Sequence, residues 1–316
     1  MSKRTAGIHH ITAIVGNPQE NVDFYAGVLG LRLVKKTVNF DDPGTYHLYF
    51  GNEAGSPGTI MTFFPWPNAY QGKIGSGQVG VTSFAVPVGT LSFWEERLAK
   101  FNVSFEKLTR FGEETLQFDD PHGLHLELVE RKEGTASSWS FGGIPADKAI
   151  KGFGGAVLLT LKPESTMKLL TEGMGLVEIG SEGDFTRFKA SDDLGNVIDV
   201  KLTPVPSGSM GAGIVHHIAW RAADYEDHEV WREHIANLGY GVTPVKDRQY
   251  FNAVYFRERG GILFEIATDP PGFTRDETAE EMGRSLLLPP WLEEKRALIE
   301  ANLLGAEVRI LEEDQS

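Results

Sequence analysis

The chain has 316 residues, of which 41% are hydrophobic and 23% charged, with a formal net charge of −14 and no cysteine. Such a chain is long enough for two domains with real cores. Its acidity argues against nucleic acid as a partner, because phosphate contacts need clustered Lys and Arg. Without thiols there is neither a disulfide framework nor a thiolate zinc site, so any metal must be held by His, Asp or Glu.

The N-terminal "MSKRTAGIHH" lacks the apolar core of a signal peptide. No apolar run reaches the length of a membrane span, so a cytoplasmic location and no membrane partner are expected. Strand "IHHITAIVG" comes first. Asn17 then reads as an N-cap with Pro18 at the first helical position. Val22, Phe24, Tyr25, Val28 and Leu29 form the apolar stripe of a helix ended by Gly30. Strands "LRLVKKTVNF", "TYHLYFGN" and "GTIMTFFPW" follow.

The same order then recurs. "VGVTSFAVPVGTLSFWEERLAKFNVSF" is strand then helix, closing with "LQFDD" and "LHLELVE". "GGAVLLTLKPESTMKLLTEGMGLVEIG" closes with "TRFKASD" and "NVIDVKLT". "VHHIAWRAADYEDHEVWREHIANLGYGVT" closes with "YFNAVYFRERGGILFEIATD". These are four βαβββ modules, at 7–68, 78–132, 152–204 and 213–268. One such module cannot cover both faces of its own sheet, so the modules must pair. The expected class is α+β, with two open barrels built of paired modules. The segment 269–316 is read as a lid, "DPPGFTRDETAEEMGRSLLLPPW", and a closing helix with apolar spacing at Trp291, Leu292, Leu298, Ile299 and Leu303.

Aligning the modules on Pro18 and Pro163, and on His10 and His217, isolates a site. His10 matches Val81, Gly155 and His217. Glu265 matches Glu127, with Asp199 near the same place, whereas the first module has Thr62 and Phe63 there. Side chains alternate along a strand, so one histidine of each doublet points into the cup. His10 and His217 are read as that inward pair, Thr12 sharing the face of His10. Counting back through the Arg259-Gly260-Gly261 turn sets Tyr255 beside Glu265. Two histidines and one carboxylate on rigid strands suit a divalent metal with open positions, most typically Fe(II). His47, His228 and His234 have no repeat support and are read as surface or packing residues. His122 and His125 lack a partner histidine on the second module's first strand.

These modules, and the His, His, Glu positions within them, resemble the vicinal oxygen chelate superfamily, which includes extradiol ring-cleaving dioxygenases, glyoxalase I and antibiotic-resistance proteins. The stretches "HHIT", "KKTVNFDDPGTYHLYFGNEAGSPGTIMTFFPW", "GIVHHIAW" and "GGILFEIATD…GFTRDE" most resemble the hydroquinone-type ring-cleaving dioxygenases. In common catechol extradiol enzymes the third and fourth modules build the site. Here Gly155 takes the third module's histidine position, and the first module supplies His10 instead. The ligand set therefore implies that modules one and four share the metal-bearing barrel. The resemblance implies an Fe(II)-dependent enzyme, with Mn(II) or another divalent ion as the alternative, that opens a hydroquinone- or catechol-type diol with O2. It also implies second-layer roles for His9 and His216, one of which acts as acid or base. Tyr255 is the candidate proton carrier, Arg248 the holder of an anionic oxygen, and Phe273 a wall for the ring. The competing readings are a glyoxalase-like lyase or isomerase, which favours a second carboxylate, and a non-catalytic binding protein, which needs no His-His-Glu set. Association into a homo-oligomer is left open.

Overall fold

The computed structural model describes residues 3–315. Within these residues sixteen strands form two eight-stranded sheets; the first joins two separate runs of the chain and the second comes from one continuous run. The first sheet holds β1 (Ile8–Val15), β2 (Arg32–Asn39), β3 (Asp42–Gly51) and β4 (Ile60–Pro65) together with β13 (Ile214–Ala222), β14 (Lys246–Asp247), β15 (Phe251–Arg257) and β16 (Leu263–Pro271). Its order is β14-β15-β16-β13-β1-β4-β3-β2. The second holds β5 (Gln78–Val86), β6 (Phe105–Arg110), β7 (Glu113–Asp119), β8 (His125–Glu130), β9 (Gly152–Leu159), β10 (Val177–Glu182), β11 (Phe185–Lys189) and β12 (Val197–Lys201). In both sheets the middle pair is antiparallel, β1 with β13 and β5 with β9.

Each first strand leads into a helix: α1 (Pro18–Val22), α2 (Leu91–Lys100), α3 (Pro163–Lys168) and α4 (Tyr225–Asn237). Asn17 caps α1, its Oδ1 accepting from the backbone N–H of Gln19 at 2.8 Å and of Glu20 at 3.2 Å. This satisfies donors that a helix start leaves free. The first and third helices run on as π-helical turns, Asp23–Val28 and Leu169–Gly173. One continuous core joins both halves, with Trp94, Trp220 and Trp231 fully buried and Phe84 stacked on Phe153. Among the described residues no helix is long and apolar enough to cross a membrane.

The cup of the second sheet is filled by its own charges. Arg110 bonds both Glu127 and Asp199, Arg187 bonds Asp199 and Glu113, and Arg131 bonds Glu113. Three guanidiniums thus face three carboxylates, two of which, Glu127 and Asp199, stand at the positions equivalent to Glu265 and Thr62 in the first sheet. Gly155 has no room for a side chain there: a Cβ would lie 2.2 Å from the Val197 carbonyl oxygen, at φ +153°.

The C-terminal segment departs from the expected continuous helix. Pro290–Lys295 is 3-10 and only Arg296–Asn302 (α5) is α-helical. The tighter winding rotates the apolar face. Leu292 and Ile299 pack with Val38 and Leu288, while Trp291 and Leu298 are 55% and 65% exposed. The preceding stretch is pinned to the first sheet. Lys35, wholly buried, bonds Asp276 at 2.7 Å and also Glu277, and lies over the Tyr250 ring. The Tyr250 hydroxyl donates to Asp276. Removing one partner of a buried ion pair costs about 3–5 kcal/mol. Lys35→Met is therefore expected to lower unfolding stability by about that amount in urea titration. Adding Asp276→Asn and Glu277→Gln to it is expected to restore much of the loss; no restoration would show that Lys35 acts through packing alone.

Candidate metal centre

His10 comes from β1, His217 from β13 and Glu265 from β16. Their Nε2 and carboxylate atoms all lie within 4.8 Å of one another. His10 Nε2 is 3.3 Å from His217 Nε2, and Glu265 Oε2 is 3.5 Å and 2.9 Å from the two nitrogens. All three side chains are buried. Burial alone raises the Glu265 carboxyl, but the imidazoles of His10 and His217 outweigh it and hold it well below the usual carboxylate range. Burial pulls the His217 imidazole below its ordinary value, against the opposing pull of Glu265. The centre is thus a carboxylate facing imidazole nitrogens, with neither carboxylate oxygen in a regular hydrogen bond. Such orphaned acceptors at this spacing fit a divalent cation held on one face, at ligand distances of about 2.1 Å.

The doubled histidines sit where the ladder slips. Along β1 and β13 the pairing runs Ile8↔Trp220, His10↔Ala219, Thr12↔His217 and Ala13↔Val215. His9 and His216 are the unpaired residues at two β-bulges, and a bulge re-aims its side chain. Strict alternation, which sends one histidine of each doublet away from the cup, therefore fails. His9 Nδ1 lies 2.9 Å from His10 Nδ1, and His216 Nδ1 lies 2.8 Å from His217 Nδ1. If Nε2 of a ligand histidine gives its lone pair to a metal, its Nδ1 carries the proton, and the neighbouring histidine accepts it. Burial, reinforced by His10, lowers His9 well below the ordinary range. Burial, reinforced by His217, lowers His216 to about 3. Both are neutral acceptors at pH 7.

The centre opens into a cavity of about 250 Å³ lined by His10, Asn39, Phe40, Asp41, His47, Tyr49, Phe64, Trp66, His216, His217, Arg248, Phe251 and Tyr255. Larger clefts of about 880 and 850 Å³ lie elsewhere, and among the described residues they hold no comparable triad. Tyr255 pairs with Glu265 across β15 and β16. Arg248 Nε donates to the Tyr255 hydroxyl at 3.2 Å, and its other arm meets Asp41 at 3.0 Å. Burial, with Glu265 nearby, pushes the Tyr255 phenol well up despite Arg248, so it stays protonated. Phe251 lies 4.9 Å from the His10 ring and 5.3 Å from His9, between centroids.

Three expected placements change. Phe273 does not line the cavity; it is buried behind Tyr49 and Tyr250, at 5.1 and 5.3 Å between centroids. The aromatic wall is Phe251, with Phe40, Phe64 and Trp66. Thr12 is fully buried and bonds Thr62 at 2.9 Å rather than lining the space. His47, read as a surface or packing residue, is on the cavity wall, its Nε2 2.8 Å from Thr62 Oγ1 and its Nδ1 2.7 Å from the Tyr49 hydroxyl. His228 and His234 do pack, against the carbonyls of Ile266 and Gly173.

Residues 7–128 match the family model described as "Glyoxalase/Bleomycin resistance protein/Dioxygenase superfamily". The chain belongs to that superfamily, and to its ring-cleaving dioxygenases. It is 66% identical over 312 residues to a protein of Bacillus subtilis (strain 168) provisionally named the ring-cleaving dioxygenase MhqO, covering 99% of this chain and 100% of that one. It is 36% identical over 303 residues to the chlorohydroquinone/hydroquinone 1,2-dioxygenase of Sphingobium indicum, covering 93% and 94%. Among solved structures, a dioxygenase of Bacillus subtilis, also provisionally named, superposes with a TM-score of 0.97 at 66% identity, covering 98% of this chain and 100% of that one. Glyoxalase I of Zea mays superposes at 0.62 with 14% identity, covering 83% and 92%, a likeness of fold.

Proposed function

We propose that the chain is an Fe(II)-dependent, extradiol-type dioxygenase that opens hydroquinone- or catechol-type rings with O2. The observation that carries this reading is the convergence of two imidazoles and one carboxylate at the floor of an aromatic-walled cavity. The 36% identity to a hydroquinone dioxygenase supports the substrate class. Thr62, not a carboxylate, stands at the first module's counterpart of Glu265, which favours three protein ligands over the four of a lyase-type site.

In this reading His10, His217 and Glu265 hold the iron, which supplies a meeting point for diol and O2 and a route for electrons between them. The protein does the rest. Bulged His9 and His216 fix the ring planes of the two ligand histidines. Of these two, His216 lines the cavity, and with its Nδ1 accepting from His217 its Nε2–H is a hydrogen-bond donor toward a bound oxygen. Protonated Tyr255 donates a hydrogen bond toward the same place, with Arg248 behind it. Phe251 and Phe64 confine a flat ring, and Thr12 braces the floor through Thr62. The test is metal-free protein loaded anaerobically with Fe(II), or in parallel with Mn(II), and then given O2 with hydroquinone and with catechol. One O2 consumed per ring opened is the expected result. No uptake with either diol, at one metal per chain, would overturn it.

A further inference from the structure

The cup is built on an approximate two-fold axis between β1 and β13, and the axis relates two tyrosines. Thr12 lies two residues after His10, Ala219 two after His217. Thr12 pairs with Thr62, which pairs with Tyr49. Ala219 pairs with Glu265, which pairs with Tyr255. Tyr49 is therefore the counterpart of Tyr255 on the opposite side of the centre, and both line the cavity. The symmetry is broken at the carboxylate position. Glu265 on one side is Thr62 on the other, which offsets the metal-type triad toward Tyr255 and leaves the Tyr49 side free of ligands.

The two tyrosines are held differently. Tyr255 meets Arg248. Tyr49 meets His47, which continues through Thr62 to Thr12 in an unbroken chain of hydrogen bonds. His47 is near enough to the centre for His10 and His217, after burial, to depress its basicity well below the ordinary range, so it is neutral. In either tautomer, one of its nitrogens donates and the other accepts. The Tyr49 oxygen then keeps one hydrogen-bonding capacity beyond the His47 contact. Elsewhere on the wall Arg248 bonds Tyr255 and Asp41, His216 Nδ1 meets His217 Nδ1, and the Asn39 side-chain carbonyl accepts from the Asp41 backbone N–H.

A 1,4-diol is itself two-fold symmetric, and only one of its oxygens reaches the metal. We propose that the Tyr49–His47 pair binds the distal, para hydroxyl of the substrate ring and so selects 1,4-diols over phenols and 1,2-diols. The inference rests on the dioxygenase reading above and names the specificity-determining residues within it.

The experiment compares anaerobic binding of hydroquinone, phenol and catechol to the Fe(II)-loaded parent, Tyr49→Phe and His47→Phe, with metal content and melting temperature measured on each preparation. The parent is expected to bind hydroquinone roughly three- to ten-fold more tightly than phenol. Tyr49→Phe should bring that ratio near one while phenol affinity stays unchanged, and His47→Phe should reduce it. A parent without preference for hydroquinone over phenol overturns the proposal without any variant. So does a Tyr49→Phe protein that keeps the parental ratio, or one that loses phenol affinity equally. O2 uptake by the parent separates the two levels: no turnover of any diol sinks the dioxygenase reading, whereas turnover with an unchanged ratio sinks only the role of Tyr49.

Discussion

Tyr255→Phe is expected to retain about one metal per chain and to lose roughly 10²–10⁴-fold in ring-opening rate, the usual cost of removing a general acid or base. The phenol has no place among the ligands, because substrate and O2 need the open positions. Its ring lies against His217 at 5.7 Å between centroids, and that contact survives in Phe. What disappears is one hydroxyl, which Arg248 supports and burial keeps protonated. A hydroxyl that only filled space would cost far less. Metal content and single-turnover rate on one preparation decide the matter: full iron with near-normal turnover would remove Tyr255 from the chemistry.

Glu265→Gln is expected to fall from near one metal per chain to near none under a competing chelator, with activity at background. The substitution preserves volume and removes the sole anion of the triad. The parent should gain about 2.7 kcal/mol of stability at a free metal concentration 100 times the dissociation constant, and the variant nothing. A melting-temperature titration with Fe(II) or Mn(II) under anaerobic conditions reads both. A variant that still shifts its melting temperature with metal would mean that the ion is held elsewhere.

The pattern of the site was legible in the chain because modules preserve register. Once the modules are aligned, His10 and His217 fall at one equivalent position and Glu265 at that of Glu127, without any knowledge of distance. The bulges at His9 and His216 were not legible. A bulge is an extra backbone residue, and a doubled histidine carries no mark that distinguishes it from ordinary alternation. His47 and Tyr49 were passed over for a different reason. The alignment was followed only to the ligand positions, although "HLYF" and "AVYF" place Tyr49 and Tyr255 alike. Phe273 was misjudged because closeness in sequence to Glu265 stood in for closeness in space, and the chain turns away at Gly272. The tail defeated periodicity because its first turn winds as 3-10, which no pattern of apolar residues announces.

The pairing of β1 with β13 also sets an order of assembly during synthesis. Strands β5 to β12 come from one uninterrupted stretch and can close as soon as that stretch has emerged. Strand β1 leaves the ribosome first yet waits for a partner beginning at Ile214. At about 5–20 residues per second the delay is on the order of 10–40 s. Throughout it β1 is an open edge with both histidines attached, a template for wrong pairing of the kind that folded proteins cover. A metal held by His10, His217 and Glu265 would need all three, so its binding would follow synthesis of nearly the whole chain. A polypeptide halted before β16 would have a closed second sheet and a first sheet that lacks its last strand and Glu265, which makes it a natural substrate for chaperones and proteases.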